Sequence, residues 1–366
     1  MYKKKICFIA QFPPPIHGLS KAVDTLYNSE LQNEFSFEKI DITNNKKFLK
    51  NLMAISKSKA DLFYFTISQT KGGNLRDLVL FKLLRMQNKK CLVHLHGGYY
   101  RKLVDHNISN WQKKANYRAI KKLDGAIVLG KSLKPIFQGM VPDEKIFVVP
   151  NCVDDEYLMS DDEFKEKIQT VETRTVRRVL YLSNFIRSKG YPEVLEMAKQ
   201  EKEQIKNIGD KKLHFDFAGK FFEESDKQFF FNYIKENGLE GYITYHGVVG
   251  GDKKRELLKS CDIFTLLTRY PNEGQPISIL EAMGNGMLIV TTDHAGIPDI
   301  VKDGMNGIVV GKKIDLKRLV ERLSTFEVTE IQKIAVYNRK KVKEEYNESR
   351  YIRDMRTCFL KILEDR

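Results

Sequence analysis

No apolar run in this chain of 366 residues approaches the roughly 18 that a membrane-spanning helix needs, so any contact with a bilayer is expected to be peripheral. Cysteine is sparse. The five present, Cys7, Cys91, Cys152, Cys261 and Cys358, are scattered, odd in number and free of any Cys-x-x-Cys spacing, which excludes a disulfide framework and a structural zinc site. A reducing compartment follows, and a cytoplasmic location is expected. Asp-x-Asp is also missing, so no acidic motif of that kind announces a divalent metal. There is no repeat of solenoid period and no low-complexity tract. No RNA-recognition aromatic motif, zinc finger or helix-turn-helix stands out, which leaves a basic nucleic-acid-binding protein as an alternative without a module to support it. The opening Met1 to Ala10 resembles a signal peptide at first sight. Its apolar run stops after five residues, at Gln11 and Pro13, and it reads as a first buried strand.

Apolar residues make up 42% of the chain and aromatics 11%, ample for folded cores. The length suits two domains of about 150 to 200 residues each. Charge is concentrated in the first half. Residues 1–150 hold 26 Lys or Arg against 11 Asp or Glu, a net +15, while the remainder holds 36 against 37, a net −1. The first domain alone is therefore expected to meet an anionic partner: a phosphorylated acceptor, an anionic membrane face or nucleic acid. Lys46, Lys47, Lys50, Lys57 and Lys59 surround Phe48, Leu49, Leu52, Met53 and Ile55, and Lys113, Lys114, Arg118, Lys121 and Lys122 lie near Trp111. Such stretches are either basic helices that lie on a membrane surface or ordinary helices whose apolar face is core.

Short apolar runs alternate with amphipathic stretches, the pattern of β-α-β units and parallel sheets. In the first half the strand candidates are 6–12, 37–41, 62–66, 92–95, 126–129 and 146–149; in the second they are 179–182, 215–218, 243–245, 263–266 and 288–291. Each series predicts its own sheet, with ligands bound beyond the carboxyl ends of the strands. The polar stretch 154–177 lacks a strong apolar period and reads as the crossing, which gives domains at 1–165 and 166–346. The tail, 330–366, reads as two helices broken near 346–349.

The most informative block is 272–286, Asn-Glu-Gly-Gln-Pro-Ile-Ser-Ile-Leu-Glu-Ala-Met-Gly-Asn-Gly. Its Gly-Gln-Pro turn marks a helix start, leaving Glu273 in the loop and placing Glu281 about two turns along the helix. Both carboxylates can then line one cleft. Amides at a helix start beside two acceptor carboxylates suit a ligand that is phosphorylated and rich in hydroxyls, such as a nucleotide-sugar. Read singly, the same residues are an exposed helix glutamate and a loop acid near a helix dipole. The block, however, resembles the signature of retaining glycosyltransferases of family 4, the GT-B group: Glu-Gly-x-Pro, four residues, Glu-Ala-Met-x-x-Gly, a buried strand and a Gly-Ile-Pro-type turn. Here these are Glu273, Gly274, Pro276, Glu281, Ala282, Met283, Gly286, the strand, and Gly296, Ile297 and Pro298.

Weaker matches follow in the family's order. The Pro-rich loop 11–20 reads as a phosphate seat with Ser20 capping a helix from about Lys21; only Gly18 is carried over, because His17 stands where the family has a first glycine. Segment 91–100 is a strand ending in His96, Gly97 and Gly98. His94 and His96 share a face, which admits a metal reading, although no Asp, Glu or Cys completes the set nearby. The resemblance instead assigns His96 to the donor sugar, with His94 structural. Tyr99, Tyr100 and Arg101 follow directly and are candidates to meet an acceptor, the alternative being an aromatic pair that simply packs. Segment 181–191 resembles the family's Gly-Arg, four residues, Lys-Gly motif, with Lys189 as the diphosphate lysine and Asn184 where the arginine stands; Arg187 is the candidate to replace it. Two further matches, 149–154 and 303–307, read as structural.

The resemblance implies an α/β GT-B fold, two Rossmann-like domains whose parallel sheets face a central cleft, with the terminal helix of about 347–366 returning to the first domain. It implies a metal-independent enzyme without a cofactor, transferring sugar with retention from a nucleotide-diphosphate donor, UDP being expected, to a glycan or polyprenyl-diphosphate-linked acceptor in surface-polysaccharide synthesis. Glu273, His96 and Lys189 are the expected catalytic residues. Gly18, Asn184, Lys189, Glu273, Gly274, Gln275, Pro276, Ile277, Ser278 and Glu281 are expected at the donor, and Tyr99 and Arg101 at the acceptor. A peripheral site on the inner face of the cell membrane is expected, without nucleic acid. An epimerase or hydrolase of nucleotide-sugars on the same fold is the alternative enzyme.

Overall fold

The structure, a computed structural model, describes all residues except 1–2, 16–17, 209 and 365–366, and the side chains of 206–208. Two compact units make up the chain. The first comprises 1–152, 272–275 and 348–366, and the second 153–271 and 276–347.

The first unit runs β1 (Lys5–Ala10), α1 (Gly18–Tyr27), β2 (Ser36–Asp41), α2 (Phe48–Lys57), β3 (Leu62–Thr66), α3 (Lys71–Met86), β4 (Lys90–Leu95), α4 (Tyr100–His106), α5 (Asn110–Ile120), β5 (Gly125–Val128) and β6 (Ile146–Val148). The second runs α6 (Asp161–Thr170), β7 (Arg177–Leu182), α7 (Tyr191–Ile208), β8 (Leu213–Ala218), α8 (Glu224–Asn237), β9 (Ile243–Tyr245), α9 (Gly251–Ser260), β10 (Ile263–Leu266), α10 (Ile277–Gly284), β11 (Leu288–Thr292), α11 (Ile297–Ile300), β12 (Gly307–Val310), α12 (Leu316–Ser324) and α13 (Val328–Glu345). The final helix, α14 (Glu348–Glu364), belongs to the first unit.

Both sheets have six strands, ordered β2-β1-β3-β4-β5-β6 and β12-β11-β10-β7-β8-β9, with parallel neighbours throughout. Strands such as β3 are buried at every position, which is why they read as continuous apolar runs instead of alternating ones. Strands form at all eleven candidate segments. The twelfth, β12, leaves the turn 303–307 and was not anticipated. The polar stretch 154–177 lies wholly in the second unit and contains α6. That helix starts in a capping box between Ser160 and Glu163, and its Lys167 is buried, donating to the carbonyls of Leu258, Cys261 and Asn285 at 3.3, 2.7 and 2.9 Å.

The tail forms two helices, Val328–Glu345 and Glu348–Glu364, that break at Tyr346–Asn347. The last of them buries Tyr351, Met355, Cys358, Phe359 and Ile362 in the core of the first unit. Lys90 caps its carboxyl end, donating to the carbonyls of Ile362 and Leu363 at 2.8 and 3.2 Å. Among the described residues, no helix is long and apolar enough to cross a membrane.

Candidate functional site

In the second unit the strand order reverses between β7 and β10, the position where doubly wound sheets bind ligands. The loop after β7 carries Lys189, and the loop after β10 leads into 272–276. Gly190 adopts φ +87°, and a Cβ there would lie 2.6 Å from the carbonyl oxygen of Leu267, so only glycine lets the Lys189 turn close onto the end of β10. The ammonium of Lys189 sits 5.1 Å from the ring centre of Tyr270 in that neighbouring loop. Asn184 is exposed just beyond β7, and its carbonyl accepts from the Tyr181 hydroxyl at 3.0 Å. Arg187 is committed elsewhere: its Nε donates to Asp226 at 3.0 Å, and its guanidinium lies 4.5 Å over the ring of Phe229, both on α8.

Pro276 is the residue before α10, so Ile277 and Ser278 form the helix start, where amides have no intrahelical acceptor. Glu281 is the fifth helical residue, closer to the start than the two turns expected, and it is only 4% exposed. Its Oε1 takes a 2.6 Å salt bridge from Lys254 of α9. That ammonium in turn lies 3.8 Å over the ring of Tyr157. Lys254 and Tyr157 carry no motif and were not singled out in the sequence.

The first unit assembles the remaining residues. β4 carries His94 near its end and His96 follows directly; their rings are tilted by 34° with centres 3.9 Å apart. His94 is fully buried and shares a 2.7 Å hydrogen bond between Nδ1 and the Tyr64 hydroxyl; burial, then the neighbouring His96, hold it well below the usual imidazole range, so its ring is neutral. It packs edge-on against Tyr64, with ring centres 5.8 Å apart.

Beyond His96 the chain meets segment 272–275 with almost no side-chain clearance. A Cβ on Gly274 would stand 2.6 Å from the His96 carbonyl oxygen, and one on Gly97 would stand 2.6 Å from the Asn272 carbonyl oxygen. Two glycines thus let two backbones touch and set Glu273, 9% exposed, beside the His96 loop. Gln275 fixes this segment with its side chain: Oε1 accepts from the Asn151 amide at 2.8 Å and Nε2 donates to the Leu129 carbonyl at 3.1 Å, while its own carbonyl accepts from Asn151 Nδ2 at 2.8 Å. This explains the role of Asn151 in segment 149–154.

Gln69, after β3, supports the same loop and had no sequence signal. Its Oε1 accepts from the Tyr99 amide at 2.6 Å. The Tyr99 hydroxyl is bonded to Asn107, and Tyr100 is buried with its hydroxyl donating to Asn116 at 2.8 Å. Arg101 pairs with Asp105 at 2.7 Å and donates to the Gln138 carbonyl at 2.7 Å. Gly18 is exposed as the first residue of α1; His17 lies outside the described residues. Because α1 begins at Gly18, Ser20 lies within the helix instead of capping it, and its hydroxyl donates back to the Pro15 carbonyl at 2.8 Å.

Residues 161–342 match the family described as glycosyl transferases group 1. Among curated proteins, an uncharacterized glycosyltransferase of Methanocaldococcus jannaschii is 25% identical over 299 residues, 78% of this chain and 71% of that protein. An amylovoran biosynthesis glycosyltransferase of Erwinia amylovora is 29% identical over 121 residues, spanning 31% of this chain and only 30% of the relative. Among solved structures, Anabaena HepE in complex with UDP matches with a TM-score of 0.73 at 16% identity, covering 98% of this chain and 100% of that one. At that identity the likeness establishes the fold. With two six-stranded parallel sheets of GT-B type and the 161–342 match, this chain carries a glycosyl transferases group 1 domain.

Proposed function

We propose that this protein transfers a sugar with retention from a nucleotide-diphosphate donor, UDP-linked, to a glycan or polyprenyl-diphosphate-linked acceptor in surface-polysaccharide synthesis. The observation that carries the reading is Glu281: a carboxylate almost fully buried on α10, five residues beyond Pro276, where it can accept from both hydroxyls of a ribose. The amides of Ile277 and Ser278, with the Lys189 ammonium across the β7/β10 switch, suit the diphosphate and the charge that grows on it as it departs. Segment 273–276 then presents Glu273 and backbone groups of Gly274 and Gln275 to the sugar, while Pro276, lacking an N–H, supplies shape and a carbonyl. His96, whose carbonyl lies against Gly274, is assigned to the sugar. The same-face route passes through an oxocarbenium-like state, and no divalent metal or cofactor is invoked.

The UDP complex of Anabaena HepE and the polysaccharide relatives support the choice of nucleotide and acceptor class. The +15 first half supports action at the inner face of the cell membrane, without nucleic acid. A thermal-shift screen of nucleoside diphosphates and their sugars tests the donor, because a ligand that binds only the folded state raises the melting temperature. UDP is expected to raise it for the wild type and not for Glu281→Gln. An unchanged UDP shift in Glu281→Gln, or none with any nucleotide in the wild type, overturns the reading. Nucleotide release that needs acceptor separates a transferase from an epimerase or hydrolase.

A further inference from the structure

All six large apolar side chains that the first unit exposes, among the described residues, lie on three consecutive packed helices: Leu49 and Met53 on α2, Leu75, Val79 and Met86 on α3, and Trp111 on α5. Their spacing is helical. Leu49 and Met53 are one turn apart on the outer face of α2, while Asn51 and Ile55 fill its inner face. On α3, Leu75, Val79, Lys82 and Met86 form one outward stripe, whereas Leu80, Phe81 and Leu84 face the core. A folded unit that hides its apolar stripes inward has no internal use for second stripes pointing out.

Between α3 and α5 the surface sinks into a groove of about 650 Å³. Ala115 and Ala119, one turn apart on α5, supply the depth, and Leu75, Val79 and Trp111 line the wall. Lys82, Arg85, Lys89, Arg118 and Lys122 stand on the rim. No acidic side chain but Asp124 lines it, and Asp124 is occupied in accepting from the Cys91 amide at 2.7 Å. Exposed lysines 46, 47, 50 and 57 continue the same cationic field over α2. An apolar trough with a cationic rim is complementary to a molecule with an apolar chain and an anionic head. Nucleic acid would need base-stacking aromatics, and the exposed residues here are aliphatic apart from one tryptophan.

We propose that the α2-α3-α5 face docks on an anionic phospholipid bilayer and that the α3/α5 groove receives an acyl chain of one such lipid, its phosphate held by the Lys82 and Arg118 side of the rim. The assignment deepens, and rests on, the reading of the chain as a transferase working at the membrane. It places the contact on a specific face and couples charge to an apolar trough, so binding requires both.

Trp111 is the only tryptophan in the chain and is 62% exposed, so its own fluorescence reports the contact. Full-length protein is mixed with phosphatidylglycerol vesicles carrying brominated acyl chains, and in parallel with phosphatidylcholine vesicles. The expected result is a blue shift and quenching on the anionic vesicles only, lost at high salt. Lys82→Glu/Arg118→Glu should weaken binding about tenfold or more, and Ala115→Phe/Ala119→Phe, which fills the trough, should abolish quenching while leaving part of the charge-driven sedimentation. Quenching absent with the wild type overturns the proposal, as does equal perturbation by single-stranded DNA or polyglutamate, which would make the face a polyanion site. The UDP-induced thermal shift is read on the same samples. Its loss with quenching intact overturns the transferase reading alone; its presence without quenching overturns the membrane face alone.

Discussion

Glu281 and Lys254 show how one residue reads differently in sequence and in structure. The carboxylate expected to line an open cleft is buried and bridged at 2.6 Å, so any ribose it receives finds a carboxylate already aligned by a cation resting on Tyr157. A second buried carboxylate shows the opposite balance. Asp77 is completely buried; burial raises its pKa to about 6, against the lowering influence of Arg76 and of the Ser68 amide that it accepts at 2.7 Å. The groups facing it are Arg76, bonded at 2.9 and 3.0 Å, and the buried Tyr100. Since the folded pKa lies above the ordinary carboxylate value, the folded state keeps a proton that the unfolded chain gives up. Stability from this group is therefore complete below about pH 4 and falls as pH rises to about 6, by ~3 kcal/mol. Urea unfolding of wild type and Asp77→Asn at pH 7 and pH 4.5 should show the difference moving toward the wild type at the lower pH. A difference constant with pH would contradict the assignment. Asp77 also holds Ser68, next to Gln69, so the same variant should loosen the support of the Tyr99 amide.

At the scale of elements, the contact of segment 272–275 with the His96 loop depends on missing side chains. Gly274→Ala places a methyl 2.6 Å from a backbone oxygen that cannot rotate away, so the loop has to shift. The expected cost is about 1 to 3 kcal/mol of stability, with transfer activity falling more steeply than nucleotide affinity, measured by kcat against the UDP dissociation constant. Equal losses in both would place the effect on folding instead of on Glu273. Much of this architecture was legible because fully buried parallel strands write themselves as apolar runs, as in Leu62–Thr66 and Ile263–Leu266. The short β12 was hidden because its Gly307 also closes a turn, and α6 because its one deeply buried side chain is Lys167, a residue that counts as polar in any periodicity. Likewise α2 offered two readings of one stretch: Ile55 is core, while Leu49 and Met53, 72% and 57% exposed, are not. Of the proposed site, Glu281, Lys189 and His96 were singled out by order and spacing. Gln69 and Lys254 carried no motif, since each acts through a bond to a partner distant in sequence, and Asn151 stood in a stretch read as structural.

At the scale of the whole chain, each unit has its own core, yet the first is finished only by the last residues. Phe359 brings its ring within 6.3, 6.1 and 6.0 Å of Phe8, Phe35 and Tyr64, and the Tyr351 hydroxyl donates to the Ala22 carbonyl at 3.3 Å. Ending the chain after Asn347 removes five buried side chains, at about 1.5 to 3 kcal/mol each, a loss comparable with the roughly 5 to 15 kcal/mol that keeps a domain folded. The second unit loses none of its own core, since α13 ends before that point and Tyr346 stays with Val153, whose amide donates to its carbonyl at 2.8 Å. Truncation should therefore unfold the first unit alone. In hydrogen exchange, amides of β1, β3 and β4 should lose protection while those of β7, β10 and β11 keep it, and UDP should still protect the start of α10. Loss of protection in both sheets together would show that the second unit does not stand by itself.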